Sequence, residues 1–271
     1  MKDLAQDLST TSIISAIENN LFAAMLVFGK WPRIEVHDQD EILWSISDIP
    51  FPLFNSVLRA RLPADQIDAA IEARIAQGKA RRVPLLWWTG PATRPPGLGE
   101  YLERHGFVHE GHMPGMAVEL AGLAEDFSLP PGLIIREVKD PTTLKLWSQT
   151  CGEGFGLPEI AVGGFYDLMT YAGGDRMRAY LGWLDGEPVG TSLLVLGAGT
   201  AGIYNVTTLP AARRKGIGAA ITCLPLQEAK AAGYRLGILH SSEMGVGVYR
   251  SLGFQEYCKI GQYVWAPESE A

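Results

Sequence analysis

The sequence predicts a mixed α/β protein with central sheets flanked by helices, and three observations carry that reading. Asp185-Gly186 separates two apolar runs, 180–184 and 189–196, and is the strongest hairpin signal in the chain. Beyond it strand and helix patterns alternate: a strand over 201–208, a helix over 216–232, a strand over 236–240, a short helix over 246–252 and a last strand over 254–264. Segments of the earlier half repeat this order, which points to two copies of one arrangement in tandem.

Taken in order, Ile13, Ile14, Ile17, Leu21, Met25 and Phe28 recur every three or four positions, the period of an amphipathic helix, and Trp31-Pro32 ends it. Alternation over 41–47 places strands in 34–46, broken by Pro50 and Pro52. A second helix is expected over 64–77, capped by Gly78. The apolar run 84–88, ahead of Gly90-Pro91, reads as a buried strand, 98–105 as a short helix closed by Gly106-Phe107, and 108–120 as one strand or two. The polar, proline-marked stretch 121–132 is the expected boundary between a domain at 1–125 and another at 133–271. Past it come a strand over 133–138, a helix over 144–150, a glycine-rich loop over 152–158 and a helical turn over 165–169; Pro225 is expected to break the helix 216–232.

The chain has 271 residues, 47% of them hydrophobic, enough for two packed cores. Residues 1–130 hold 11 Lys and Arg against 17 Asp and Glu, a net of −6, and residues 131–271 hold 12 against 13, a net of −1, which together make the formal −7. That balance argues against nucleic acid as a partner. Three scattered cysteines suit a reducing compartment, and the first residues lack the basic and apolar regions of a signal peptide. The apolar run 21–28 stops far short of the ~20 residues a membrane span needs. The expected location is the cytoplasm, with no membrane partner.

The sharpest chemical signal is Val206-Thr207-Thr208-Leu209-Pro210-Ala211-Ala212-Arg213-Arg214-Lys215-Gly216-Ile217-Gly218. A strand runs into a turn, and a basic, glycine-bearing loop then opens a helix whose first N–H groups have no partner, which is a seat for a pyrophosphate. Neither a P-loop nor a dinucleotide fingerprint is present. The segment Arg213-Arg214-Lys215-Gly216-Ile217-Gly218 resembles the pattern Arg/Gln-x-x-Gly-x-Gly/Ala of the GCN5-related N-acetyltransferase (GNAT) superfamily, and the order of elements over 133–265 resembles that family too. The resemblance implies the GNAT fold and acetyl-CoA as cosubstrate, with no metal. It implies that the strand holding Val206, Thr207 and Thr208 splays from its neighbour to pair with the pantetheine arm. Arg213, Arg214, Lys215, Gly216, Ile217, Gly218 and Ala219 would then hold the pyrophosphate. Ser242 stands where the family often has Asn, and Tyr249 stands where it carries the general acid that protonates the departing thiolate.

Leu53 to Leu58 can be laid on Ile203 to Thr208, and Leu102-Glu103-Arg104-His105-Gly106-Phe107 on Tyr249-Arg250-Ser251-Leu252-Gly253-Phe254, so the first half reads as a degenerate copy of the same fold. It has no glycine in 59–66 and Leu102 in place of Tyr249. His105, His109 and His112 straddle an element boundary and are not taken as a metal site, Trp87-Trp88 reads as packing, and Cys151 as a buried thiol. His240 ends a strand beside the expected cleft, where a satisfied or packed histidine is the default against a role near the substrate. Glu153 and the loop around it are candidates to cover the acceptor pocket. The acceptor stays open between small-molecule and peptide amines, the general base is unassigned, and monomer and homodimer are both open. The competing function is a non-catalytic CoA sensor or scaffold.

Overall fold

The computed structural model describes residues 4–123 and 129–267, so part of the expected boundary at 121–132 lies outside it. The chain divides into two compact units that follow a different line: Met1–Ala24 with Pro114–Tyr257, and Met25–Met113 with Cys258–Ala271. Each unit therefore takes its last strand from the other half of the sequence.

In the first unit the strands are β5 (Val108–Glu119), β6 (Leu133–Glu137), β7 (Met177–Leu184), β8 (Glu187–Gly197), β9 (Thr200–Thr208) and β10 (Leu236–His240), in the order β5-β10-β9-β8-β7-β6. All neighbours are antiparallel except β9 and β10, which the helix α6 (Ile217–Ala231) joins as a crossover. Asp185 and Gly186 adopt φ of 54° and 89°, as a tight turn between β7 and β8 requires. The core packs Leu194, Leu196, Ala201, Ile203 and Leu239 against Ile221, Cys223 and Leu226 of α6.

The helix α1 (Thr10–Phe28) exceeds the apolar run expected at 21–28: at 19 residues and a mean hydropathy of 1.4 it is long and apolar enough, by composition, to cross a membrane. Its Asn20 nevertheless is fully buried and gives its amide to Val195 O at 3.2 Å, Gly197 O at 3.0 Å and Thr200 Oγ1 at 3.0 Å. A polar side chain satisfied by strand carbonyls marks α1 as a packed core helix in this unit.

Three local expectations are corrected. The glycines of 152–158 are not a loop, since α4 (Pro141–Phe155) runs through Gly152 and Gly154 and ends at Gly156, whose φ is 66°. A Cβ on Gly152 would come within 2.3 Å of Val162 on α5 (Glu159–Ala172), and one on Gly154 within 2.1 Å of Thr207 Oγ1, so these glycines let helices and strand approach. The helix begins at Pro141 because Asp140 caps it, accepting the Thr143 N–H at 2.9 Å. Pro225 does not break α6. The carbonyl it leaves without an N–H donor, that of Ile221, accepts instead from Ser192 Oγ at 2.8 Å.

In the second unit β1 (Ile34–Asp38), β2 (Leu43–Ser47), β3 (Ser56–Leu58), β4 (Leu85–Thr89) and β11 (Gln255–Trp265) lie in that order, with β3 and β4 parallel and joined by α2 (Ile67–Arg81). Gly78 does not cap α2, which runs on to Arg81 and has Arg82 as its C-cap at φ 55°. It is small because Trp265 and Leu85 stand 3.0 and 3.1 Å from where its Cβ would be. Trp87 is fully buried and meets Phe107, after α3 (Leu98–Arg104), edge on at 6.0 Å.

Candidate active site

The site is built where β9 leaves β10. Their parallel ladder pairs Gly237, Ile238 and Leu239 with Ala201, Gly202 and Ile203, and among the described residues Tyr204 to Thr208 have no partner on β10. The same strand carries an extra residue against β8, the register shifting between Thr191 opposite Thr207 and Leu193 opposite Tyr204. Asn205 takes the strain at φ 48°, and its carbonyl is held by Thr191 Oγ1 at 2.8 Å. Past the last rung, Val206, Thr207 and Thr208 have no partner on β10 among the described residues, and the Thr208 carbonyl is taken by Arg213 Nε.

The strand then delivers the chain to the helix. A 3-10 turn at Pro210–Ala212 is followed by Arg213 in extended backbone, Arg214 at φ 66° and Gly216 at φ 78°, which is the N-cap of α6 with no side-chain cap. Among the described residues no acceptor takes the N–H groups of Arg214, Lys215, Gly216, Ile217, Gly218 or Ala219; the first satisfied amide is Ala220, bonded to Gly216 O at 3.0 Å. Six donors are thus unpaired at the positive end of a helix dipole, with the side chains of Arg214 and Lys215 exposed beside them. Arg213 has a structural task, its Nε donating to Thr208 O at 3.0 Å and tying the loop to the strand. Ile217 is buried in a cluster with Leu133 and Val189, so only its backbone is available.

Tyr249, on α7 (Val246–Ser251), is 9% exposed and packs edge on to Phe254 at 5.9 Å. Its hydroxyl has no hydrogen-bond partner among the described residues, and burial pushes its pKa up to about 12, so it is a protonated donor. Gly245 leaves room for the ring, since a Cβ there would lie 2.8 Å from Tyr249 Cε2. Ser242 is exposed, and its Oγ accepts from Gly245 N at 3.3 Å.

Residues 175–256 match the family model described as the acetyltransferase (GNAT) domain. A GCN5-related N-acetyltransferase from Kribbella flavida superposes with a TM-score of 0.71 at 20% identity, over 93% of this chain and 96% of that one. The fold is that of the GNAT acetyltransferases. A GCN5-related N-acetyltransferase from Sphaerobacter thermophilus has a TM-score of 0.63 at 16% identity, covering 97% and 95% of the two chains. A protein described as a tandem GNAT protein from the clavulanic acid biosynthesis pathway has 0.58 at 13%, covering 98% of each. No curated protein matches the chain. The domain match and the fold support acetyl-CoA-dependent acetyltransferase activity with an unspecified acceptor.

Within this GNAT fold the other candidates separate cleanly. Cys151 is buried with its thiol pushed up to about 12 by desolvation, and it accepts from Asn205 Nδ2 at 3.7 Å, so it braces the bulge and is no nucleophile. Glu153 lies on α4. His109 and His112 meet edge on at 4.6 Å, whereas His105 gives Nδ1 to Tyr101 O at 2.9 Å and faces Asp68 and Glu72; among the described residues no three ligands gather for a metal. Of the two readings joined in the default for His240, the ring is packed, 6.0 Å from that of Tyr204, and not satisfied. Its Nε2 is buried without a partner, and desolvation holds its pKa down at about 4. Sequence reasoning also missed Asn20, whose Oδ1 accepts from Tyr204 OH at 2.8 Å, because a lone Asn in an apolar helix carries no pattern.

Proposed function

We propose that the chain transfers an acetyl group from acetyl-CoA directly to a primary amine carried by a small molecule or a peptide. One observation carries this: six unpaired amides at 214–219 follow the β9 segment that has no partner on β10, which suits a pyrophosphate followed by an extended arm. Val206, Thr207 and Thr208 offer backbone groups to the pantetheine, Arg213 to Ala219 hold the pyrophosphate, and Ser242 lies in the turn after β10 on the far side. Amine attack on the thioester forms the C–N bond and breaks the C–S bond. The Tyr249 hydroxyl gives its proton to the sulfur, the amine proton passes to solvent, and Tyr249 is reprotonated from water. The residues present suit acetyl-CoA, since among the described residues no acceptor takes the amides of 214–219.

The earlier half reads as a degenerate copy, residues 1–125 beside the catalytic 133–271. Both halves run strand, 15-residue helix, strand, short helix, strand. Gly106 and Gly253 share φ of 84° and 91°, and Phe107 and Phe254 donate to Leu102 O and Tyr249 O, each at 3.0 Å. The first half lacks a positive-φ glycine before α2, whose N-cap is Gln66. The free thiols of Cys151 and Cys223 are in keeping with a cytoplasmic enzyme. The test is thiol release from acetyl-CoA against small amines, amino acids, aminoglycosides and peptides, with calorimetry expected to give one acetyl-CoA per chain. Binding without release from any acceptor would favour a CoA sensor, and two sites per chain would restore the first half as a cofactor domain.

A further inference from the structure

The acceptor nitrogen needs a partner that the amide cradle and Tyr249 do not supply, and the fork between β9 and β10 offers one. The last rung joins Ile203 to Leu239, so Tyr204 and His240 are the first residues past it, one on each arm. A Cβ on Gly202 would meet both Asn20 Oδ1 and the Tyr204 ring, at 2.1 and 2.6 Å, which sets Gly202 and Tyr204 on the α1 face of the sheet. A Cβ on Gly237 would meet Leu226 of α6 at 3.0 Å, so alternation along β10 puts His240 on the α1 face as well. The two rings lie 6.0 Å apart, tilted by 47°. Tyr204 is committed, its hydroxyl donating to Asn20. His240 Nε2 is buried with nothing to bond.

A buried polar atom without a partner costs stability unless a ligand supplies one. We propose that His240 Nε2 accepts a hydrogen bond from the N–H of the acceptor amine and so positions its nitrogen, lone pair free, for attack at the fork. The ring is neutral near pH 7, since burial disfavours its cation, and in the Nδ1–H form it presents a lone pair at Nε2. The assignment rests on the acetyl-transfer reading above and adds to it the residue that holds the acceptor.

The experiment compares wild type, His240→Leu and His240→Gln with acetyl-CoA and three probes, benzylamine, n-butylamine and glycinamide, using the full chain. His240→Leu is expected to raise the KM of each active probe about tenfold, the worth of one hydrogen bond, while calorimetry gives an unchanged acetyl-CoA affinity. His240→Gln, which keeps an acceptor atom, is expected to restore most of the lost KM. Thermal melting of His240→Leu at or above the wild-type temperature shows that the fold is intact. An unchanged amine KM in His240→Leu overturns the proposal, as does a loss of acetyl-CoA affinity that matches the loss of activity. Wild type releasing no thiol with any probe brings down the acetyl-transfer reading itself, and this assignment with it.

Discussion

Gly216 and Gly218 look alike in the sequence, yet the structure gives them different tasks, and replacing each by Ala separates them. Gly216 caps α6 at φ 78°, a conformation that costs an L-residue about 1–2 kcal/mol, so Gly216→Ala leaves the present loop geometry populated roughly 5–30-fold less. If acetyl-CoA binds only that geometry, its apparent dissociation constant should rise by the same ~5–30-fold. Gly218 lies inside the helix, and the nearest chain atom to a Cβ there is Thr208 Oγ1 at 3.7 Å, ordinary contact. Gly218→Ala should therefore raise stability by about 0.5–1 kcal/mol through helix propensity and keep binding, while a bulky residue such as Leu should block it. Calorimetric titration with acetyl-CoA, paired with thermal melts, reads both quantities. The reasoning fails if Gly216→Ala binds as tightly as wild type, or if Gly218→Ala abolishes binding without loss of fold.

Tyr249→Phe should lower kcat by ~10²-fold with little change in acetyl-CoA affinity, and unchanged kcat where chemistry limits turnover would remove Tyr249 from the mechanism. Ser192→Ala orphans the Ile221 carbonyl and should cost about 1–3 kcal/mol in urea unfolding; in a Pro225→Ala background, where residue 225 regains an N–H, the same change should cost markedly less, and equal costs would refute the compensation. His240 has a folded pKa of about 4, below the ordinary 6.5, so its contribution is fully present above pH 6.5 and is lost as pH falls toward 4, by at most about 3 kcal/mol. His240→Leu should flatten that part of the stability profile, and an unaltered slope there would show that other groups set it. Cys151 and Cys223, with thiols pushed up to about 12 and 11, should resist alkylation in the native state while unfolded chain reacts at both.

The unpaired helix start of the candidate site was legible because its geometry is local. An unpaired helix start needs only a turn, a basic loop and a glycine of positive φ, and Arg213 to Gly218 present these in six consecutive residues. The hairpin at Asp185-Gly186 is legible for the same reason. What escaped depends on distant partners. Gly152 and Gly154 read as a loop because glycine disfavours helices, and only the approach of Val162 and Thr207 explains them inside one. Pro225 read as a break because the hydroxyl that replaces its missing donor comes from Ser192, on a strand that precedes it by a whole hairpin arm. The bulge at Asn205 has no sequence signal at all, since Thr191 and Cys151 secure it from two other elements.

The division into units shows what the earlier half contributes to the candidate site. β5 pairs Met116 with Leu239 and Gly115 with His240, so a strand from residues 108–119 flanks the arm of the fork that β9 leaves. From still earlier, α1 supplies Asn20, which satisfies carbonyls of β8 and β9 and fixes the Tyr204 hydroxyl on the other arm. Deleting everything before residue 129 would expose the Gly237 to His240 edge and strip partners from Val195, Gly197 and Thr200. The earlier half therefore shapes both arms of the fork, through β5 on one and α1 on the other. The expectation is that residues 129–267 alone fail to give a cooperative melt or to bind acetyl-CoA, and that adding residues 1–123 as a separate chain restores both. A fragment 129–267 that melts cooperatively and binds acetyl-CoA like the full chain would show that the earlier half is dispensable for the fork.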